Sequence, residues 1–69
     1  MAEIVKIKTE YITLGQFLKY INVIENGAMA KMYLSESEVL VNGELENRRG
    51  RKLYPEYKVV IENKEYIIG

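Results

Sequence analysis

The sequence predicts an α+β fold in which two short helices pack on a small antiparallel sheet. An apolar stripe with helical spacing occupies the first third of the chain, and short alternating apolar segments fill the last third. Between them, Asn42-Gly43 flanked by alternating apolar residues is a strong signal for a β-hairpin. The chain has 69 residues, which is the size of one domain, so we expect residues 1–69 to form a single domain.

The N-terminal segment predicts a strand followed by a helix. Residues 3–8 alternate Ile and Val with Lys, apart from a break at Val5, which indicates a half-buried strand. Thr13 and Gln16 have the spacing of a capping box, in which each side chain accepts a hydrogen bond from the other residue's backbone N–H. The helix should end near Asn22. Its core-facing stripe consists of Leu14, Phe17, Leu18 and Ile21.

Asn26 predicts the start of a second helix over residues 27–35, because its side chain accepts from N–H groups of the first turn. The apolar residues that would face the first helix are Ala30, Tyr33 and Leu34. Lys31 would face outward. Two interpretations of Lys31 stay open: it assists a phosphate bound at the positive N-terminal end of the helix, or it is an ordinary solvated lysine.

Two turn types fit the predicted hairpin. A two-residue turn at Asn42-Gly43 would pair Val41 with Glu44 and place Glu44 and Glu46 on the face of the valines. A three-residue turn with a glycine bulge would instead place Val41 opposite Leu45, which gives a cleaner apolar face. We favour the bulged turn for that reason.

The C-terminal third of the chain predicts two further strands. Residues 53–56, which include the proline, form a turn, and residues 57–61 alternate as a strand. Residues 63–64 turn the chain again. Residues 66–68 form a closing strand that would pair with residues 3–8.

A dense group of cations stands out in a chain whose formal net charge is zero. Residues 48–52, here called the cationic run, contain Arg48, Arg49, Arg51 and Lys52. Cations this close repel one another, and they gain free energy when phosphates lie across them because condensed counterions are released. A solvated turn rich in charge is the alternative. Tyr54 and Tyr57 border the run and would either stack on unpaired bases or belong to the core and the sheet edge.

The composition argues against catalysis, metal binding and membrane insertion. The chain has no cysteine, histidine, aspartate or tryptophan, so acid–base chemistry would rest on scattered Glu, Lys and Tyr. It has neither a glycine-rich phosphate loop nor residues with metal-ligand spacing. We therefore expect no enzyme, no cofactor and no metal site. Without a long apolar run or a recognisable signal peptide, we expect a cytoplasmic protein that does not bind membranes.

Four segments resemble the RNA-binding domain of ribosomal protein S-four, also called the alpha-L motif. They are residues 17–19 (Phe-Leu-Lys), 26–31 (Asn-Gly-Ala-Met-Ala-Lys), 39–44 (Val-Leu-Val-Asn-Gly-Glu) and 48–53 (Arg-Arg-Gly-Arg-Lys-Leu). The match covers about residues 12–61. Within the family, the chain most resembles the small stand-alone bacterial form, the YaaA type. The resemblance implies two angled helices on a small twisted sheet, with an L-shaped surface that holds structured RNA.

The resemblance also implies a set of site residues. By position, the RNA-binding cations are Lys19, Lys31, Arg48, Arg49, Arg51 and Lys52, and the turns that present them are shaped by Asn42, Gly43 and Gly50. The chain departs from the family pattern at three places. Thr13-Leu14-Gly15 replaces an Arg-Leu-Asp start of the first helix, which removes one cation. More of the RNA contact would therefore depend on the cationic run. Ser37 and Glu56-Tyr57 replace a glycine and a Gly-Asp turn.

The leading functional hypothesis is that the protein binds structured RNA, and ribosomal RNA in particular. We expect it to act as a monomer and to have no small-molecule substrate. The planar guanidinium of arginine grips a phosphate with two bonds, and double-helical RNA is recognised mainly by shape and backbone. Two alternatives stay open. One is a protein-interaction adapter whose basic loop docks an acidic partner and whose residues 66–68 offer an edge strand. The other is a small metabolic enzyme, which the absence of His, Asp and Cys argues against. The sequence does not separate RNA from DNA as the partner.

Overall fold

The computed structural model describes residues 2–69 and contains two helices, a five-stranded sheet and a two-stranded sheet within that range. Helix α1 spans Leu14–Tyr20, helix α2 spans Ala30–Glu36, and a 3-10 turn at Gly27–Met29 leads into α2. The strands, in chain order, are β1 Glu3–Val5, β2 Ile12–Thr13, β3 Val39–Val41, β4 Glu44–Leu45, β5 Lys52–Leu53, β6 Lys58–Ile61 and β7 Lys64–Ile68. The predicted α+β class with two short helices is confirmed. No helix within the described range is long and apolar enough to cross a membrane.

The larger sheet is mixed rather than wholly antiparallel. Its strand order is β1-β7-β6-β3-β4, and β1 runs parallel to β7 with Val5 opposite Ile68. The other three strand pairs are antiparallel. Alternation of apolar residues reports which face a strand buries but not its direction, so the sequence could not show the parallel pair. Because β7 lies between β1 and β6, the expectation that residues 66–68 offer an edge strand is wrong.

The β3–β4 hairpin uses the two-residue turn, so our preference for the bulged turn is wrong. Val41 pairs with Glu44, and Leu40 pairs with Leu45. Asn42 and Gly43 have φ angles of 52° and 86°, the left-handed values that a type I′ turn requires at both central positions. The Asn42 side chain also accepts a hydrogen bond from the Lys58 N–H at 3.0 Å, which ties the turn to β6.

The turn between β6 and β7 is shifted by one residue from its predicted place. Ile61 pairs with Lys64, so the central residues are Glu62 and Asn63 rather than residues 63–64. Both have positive φ angles, 51° and 66°. Asn is common in that conformation and Glu is not, which is why the sequence pattern indicated the later position.

Both predicted N-caps are confirmed. The Thr13 hydroxyl accepts from the Gln16 N–H at 3.3 Å, and the Gln16 side chain accepts from the Thr13 N–H at 2.9 Å. The Asn26 side chain accepts from the Ala28 N–H at 3.0 Å. The second cap starts a 3-10 turn instead of an α-helix, so α2 begins only at Ala30. Helix α1 ends as expected, with Asn22 in the left-handed conformation at φ 64°.

The core lies between the two helices and the inner face of the larger sheet. Phe17 of α1 is fully buried, and its ring meets the Tyr66 ring of β7 edge-to-face with centroids 5.3 Å apart. The other buried apolar residues alternate along the strands and follow the helical stripes, and they are Val5, Leu14, Leu18, Ile24, Ala30, Leu34, Val39, Val41, Leu53, Val59, Ile61 and Ile68. This packing joins α1 to β3, and the cationic run is held by α1 and by Glu46, which follows β4.

Candidate nucleic-acid interface

The cationic run is organised around one buried carboxylate, that of Glu46. Its side chain is only 7% exposed and lies on the same face of the hairpin as the valines of β3. Oε2 accepts from the Arg48 Nε at 3.0 Å and from the backbone N–H groups of Asn47 and Arg48. Oε1 accepts from one terminal nitrogen of Arg48 at 3.1 Å and from one of Arg51 at 3.0 Å. Five donors therefore converge on a single carboxylate.

These contacts favour the charged form of Glu46. Hydrogen bonds from the Arg48 side chain lower the pKa of Glu46 from 4.5 to about 2, against burial, which acts in the opposite direction. The Arg48 backbone N–H and charge, together with the Arg51 side chain, contribute to the same lowering of the pKa. The same contact raises the pKa of Arg48. Near neutral pH the carboxylate is thus ionised and cross-links two arginines of the run.

Helix α1 holds the backbone of the cationic run. The first N–H groups of a helix have no partner inside the helix. Here the Leu14 N–H donates to the Arg51 carbonyl at 2.8 Å, and the Gly15 N–H donates to the Arg49 carbonyl at 2.9 Å. A Cβ placed on Gly15 would lie 3.4 Å from that Arg49 oxygen, at van der Waals contact, so the run lies directly against the helix. The short β2–β5 pair, with Thr13 opposite Lys52, continues the attachment.

Three cations of the run share one shallow depression. Arg48, Arg51 and Lys52 line it together with Gly50, Tyr54 and Tyr57, and its volume is about 450 Å³. The Arg48 side chain is 71% exposed and that of Arg51 34% exposed, so both keep a solvent-facing portion while binding Glu46. The run carries four positive charges, and subtracting the one carboxylate of Glu46 leaves three. Pairing with Glu46 therefore reduces the positive field without cancelling it.

Arg49 lies on the other side of the run. It lines a second depression, of about 360 Å³, with Thr13, Gly15, Gln16, Gly27 and Gly50. Its side chain is exposed, while its carbonyl binds α1. Gly50 lines both depressions, so the backbone at this residue separates Arg49 from the other three cations. The run consequently presents charge in two directions from the start of α1.

The two helical lysines of the predicted site are exposed but do not line these depressions. Lys19 lies near the end of α1 and borders a different groove, formed with the segment that precedes β2. Lys31 lies on α2, next to Ala30, whose Cβ lies 3.7 Å from the place a Cβ on Gly15 would take. The Asn26 cap occupies the Ala28 N–H, one of the donors that the phosphate interpretation of Lys31 requires.

A cluster of tyrosines supports the depression beside the run. The Tyr54 ring lies 5.5 Å from the Tyr11 ring and 5.7 Å from the Tyr57 ring, measured between centroids. Lys52 Nζ lies 5.0 Å from the centre of Tyr11, and Arg51 Cζ lies 6.0 Å from the centre of Tyr57, both within range of a cation–π interaction. The rings therefore hold the cations in place, and Tyr57 is half-buried in this role.

Two residues of this site escaped prediction from the sequence. Glu46 was expected on the valine face only with the two-residue turn, and nothing in its pattern marked it as the partner of the arginines. Tyr11 is distant in sequence from the run and joins it only through the β2–β5 pair. Among the described residues, no group of three or more potential metal ligands comes together.

Comparison with known proteins agrees with this architecture. Residues 5–69 match the family model of the S4 domain. The chain therefore belongs to the S4 domain family, and the resemblance inferred from the sequence is confirmed. Over 54 residues it is 67% identical to the probable ribosome maturation protein RlbA of Bacillus subtilis (strain 168). That alignment covers 78% of this chain and 76% of the relative.

Proposed function

We propose that this protein binds structured RNA, ribosomal RNA in particular, through the cationic run. The observation that carries the proposal is the attachment of the run to the fold: Glu46 binds the side chains of Arg48 and Arg51, and the first turn of α1 binds the carbonyls of Arg49 and Arg51. Lys52 is attached through its pairing with Thr13. Membership of the S4 domain family supports RNA as the partner. The name of the Bacillus relative, a ribosome maturation protein, supports a ribosomal target and hence a place in the cytoplasm.

The physical basis is electrostatic attraction by a preorganised surface. A flexible group of cations loses side-chain entropy when it binds phosphates, whereas one already held by hydrogen bonds loses less. Arg48 binds Glu46 through Nε and one terminal nitrogen, so its other terminal nitrogen remains to contact a phosphate. Arg49 uses only its carbonyl within the fold, which leaves its whole guanidinium for RNA. In this proposal the protein acts as a monomeric binder that positions RNA and carries out no chemistry.

Salt dependence of RNA affinity tests the mechanism. Each phosphate contact contributes a slope of about −0.7 to −0.9 to a plot of log K against log salt, so four contacts give about −3. Lys19 and Lys31, if they also touch phosphates, make the slope steeper. Affinity for a short RNA stem should be measured by fluorescence anisotropy across a salt series. An affinity that is unchanged from low to physiological salt would refute the electrostatic mechanism.

The structure decides which substitution isolates the RNA contact. Replacing Arg48 or Arg51 leaves the buried Glu46 carboxylate short of partners, so those changes also loosen the fold. Arg49→Gln removes one charge and none of the hydrogen bonds that hold the run. We expect Arg49→Gln to weaken binding of all RNA stems alike and to reduce the salt slope by about 1.

Lys64→Gln is the matched control, because Lys64 is an exposed cation at the start of β7 and lines a depression with Glu3 and Asn63 instead of the run. It removes the same charge from the protein. If Lys64→Gln weakens RNA binding as much as Arg49→Gln does, only net charge matters and the proposed site is wrong.

A further inference from the structure

A groove wider than the two depressions of the cationic run lies outside that run. It is formed between residues 6–13 and helix α1, and its volume is about 860 Å³, against 450 and 360 Å³ for the depressions of the run. We call it the N-terminal groove. Residues 6–11 lie between β1 and β2, and all six line the groove. A volume of this size is in the range of small-ligand sites.

The lining of the N-terminal groove is basic and aromatic. Its charged residues are Lys6, Lys8, Lys19 and Glu10, so three positive charges less one negative charge leave two. Its aromatic residues are Tyr11 and Tyr20. Tyr20 is 61% exposed, although it ends a helix whose other large apolar residues are fully buried. Core packing therefore does not explain a tyrosine at this position.

The groove is continuous with the cationic run. Tyr11 lines the groove on one side and contacts the Lys52 ammonium on the other, 5.0 Å from its ring centre. Thr13 also lines the groove, and it pairs with Lys52 in the small sheet. A chain of phosphates lying on the run can thus continue past Tyr11 into the groove.

We propose that the N-terminal groove binds an unpaired nucleotide of the RNA, next to the paired segment held by the cationic run. This inference rests on the proposed function and extends it from RNA in general to a junction between paired and unpaired RNA. An unpaired base stacks on an aromatic ring, whereas bases inside a stem have no free face. The Tyr20 ring supplies that face, and Lys6, Lys8 and Lys19 neutralise the flanking phosphates.

Two RNAs test the inference with the intact protein. One is a short blunt-ended RNA stem, and the other is the same stem with an unpaired tail that contains a fluorescent adenine analogue. We expect the tailed RNA to bind about tenfold more tightly, the change that one stacked base produces. The analogue should lose fluorescence on binding, because stacking on tyrosine quenches it.

Substitutions in the groove assign the effect. Tyr20→Ala should remove the tenfold preference and the quenching while affinity for the blunt stem stays unchanged. Tyr20→Phe keeps the ring and should retain both. Met32→Ala, at an exposed position of α2, serves as the control and should change neither. Because Tyr20 and Met32 are both exposed, these changes should leave the fold intact.

The results separate this inference from the proposed function. If blunt and tailed RNA bind equally, or if Tyr20→Ala keeps the preference, the groove does not hold a nucleotide, while RNA binding by the run stands. If neither RNA binds, the proposed function is wrong and the groove inference fails with it.

Discussion

Replacing Glu46 with glutamine removes the charge that cross-links the cationic run and leaves the size of the side chain nearly unchanged. In the folded protein, hydrogen bonds from Arg48 lower the pKa of Glu46 from 4.5 to about 2. A carboxyl group with a lowered pKa stabilises the fold at every pH above its ordinary value. That stabilisation is lost as the pH falls from about 4.5 toward 2. The Glu46→Gln protein lacks it at every pH.

The structure limits the size of this effect. A difference of about 2.5 between the ordinary and the folded pKa corresponds to at most roughly 3.5 kcal/mol, at 1.36 kcal/mol for each pKa unit. The Arg48 side chain is 71% exposed, so solvent screens much of the interaction. We therefore expect Glu46→Gln to destabilise the protein by about 1–2 kcal/mol at pH 7. In a domain of this size that lowers the melting temperature by about 5–15 °C.

Urea denaturation at pH 7 and at pH 3 measures the effect. From pH 7 to pH 3, the free energy of unfolding of the natural protein should fall more than that of the Glu46→Gln protein. The difference in stability between the two proteins should therefore be smaller at pH 3 than at pH 7. Glu44→Gln is the control, because Glu44 is an exposed carboxylate of β4, two residues before Glu46. If Glu46→Gln is as stable as the natural protein at pH 7, or if Glu44→Gln has the same effect, Glu46 does not organise the run.

Three further changes test the local structure by thermal and urea denaturation. Asn42→Ala should cost about 1–2 kcal/mol, because it removes the hydrogen bond from Lys58 and leaves alanine at a φ of 52°; unchanged stability would contradict the type I′ turn. Glu56→Gly should add about 0.5–1 kcal/mol, since the φ of 76° favours glycine, and a lower melting temperature would count against this. Thr13→Ala should cost about 1 kcal/mol through loss of the α1 cap. If the double variant Thr13→Ala/Gln16→Ala loses the sum of the two single losses of stability, the two hydrogen bonds of the capping box are independent of each other.

Local sequence signals predicted the helices well because their causes lie within a few residues. The capping box at Thr13 and the apolar stripe that follows it require only side chains one turn apart, and both appear as expected. The cap at Asn26 was also predicted, yet the turn that follows it is a 3-10 turn. Gly27 has a low helix propensity, and Ala30, the first residue of α2, is buried against α1.

Turn type and strand direction were harder to predict because they depend on distant partners. Apolar alternation favoured a bulge that would have hidden Leu45, whereas the hairpin leaves Leu45 exposed and buries Glu46. Burying Glu46 instead of Leu45 is favourable only because Arg48 and Arg51 bind the Glu46 carboxylate, and the sequence does not show that these three side chains come together. The parallel pairing of β1 with β7 likewise joins the two ends of the described chain.

The sequence by itself determined the α+β class, the S4 family pattern and the cationic run, because composition, periodicity and short motifs carry that information directly. Only the tertiary structure decided how the cations are held. Glu46 is buried on the valine face, the first turn of α1 donates hydrogen bonds to the backbone carbonyls of the run, and Tyr11 joins the run to the N-terminal groove. The physical reason is that a charge gains or loses its solvent and its partners only when segments far apart in sequence pack together.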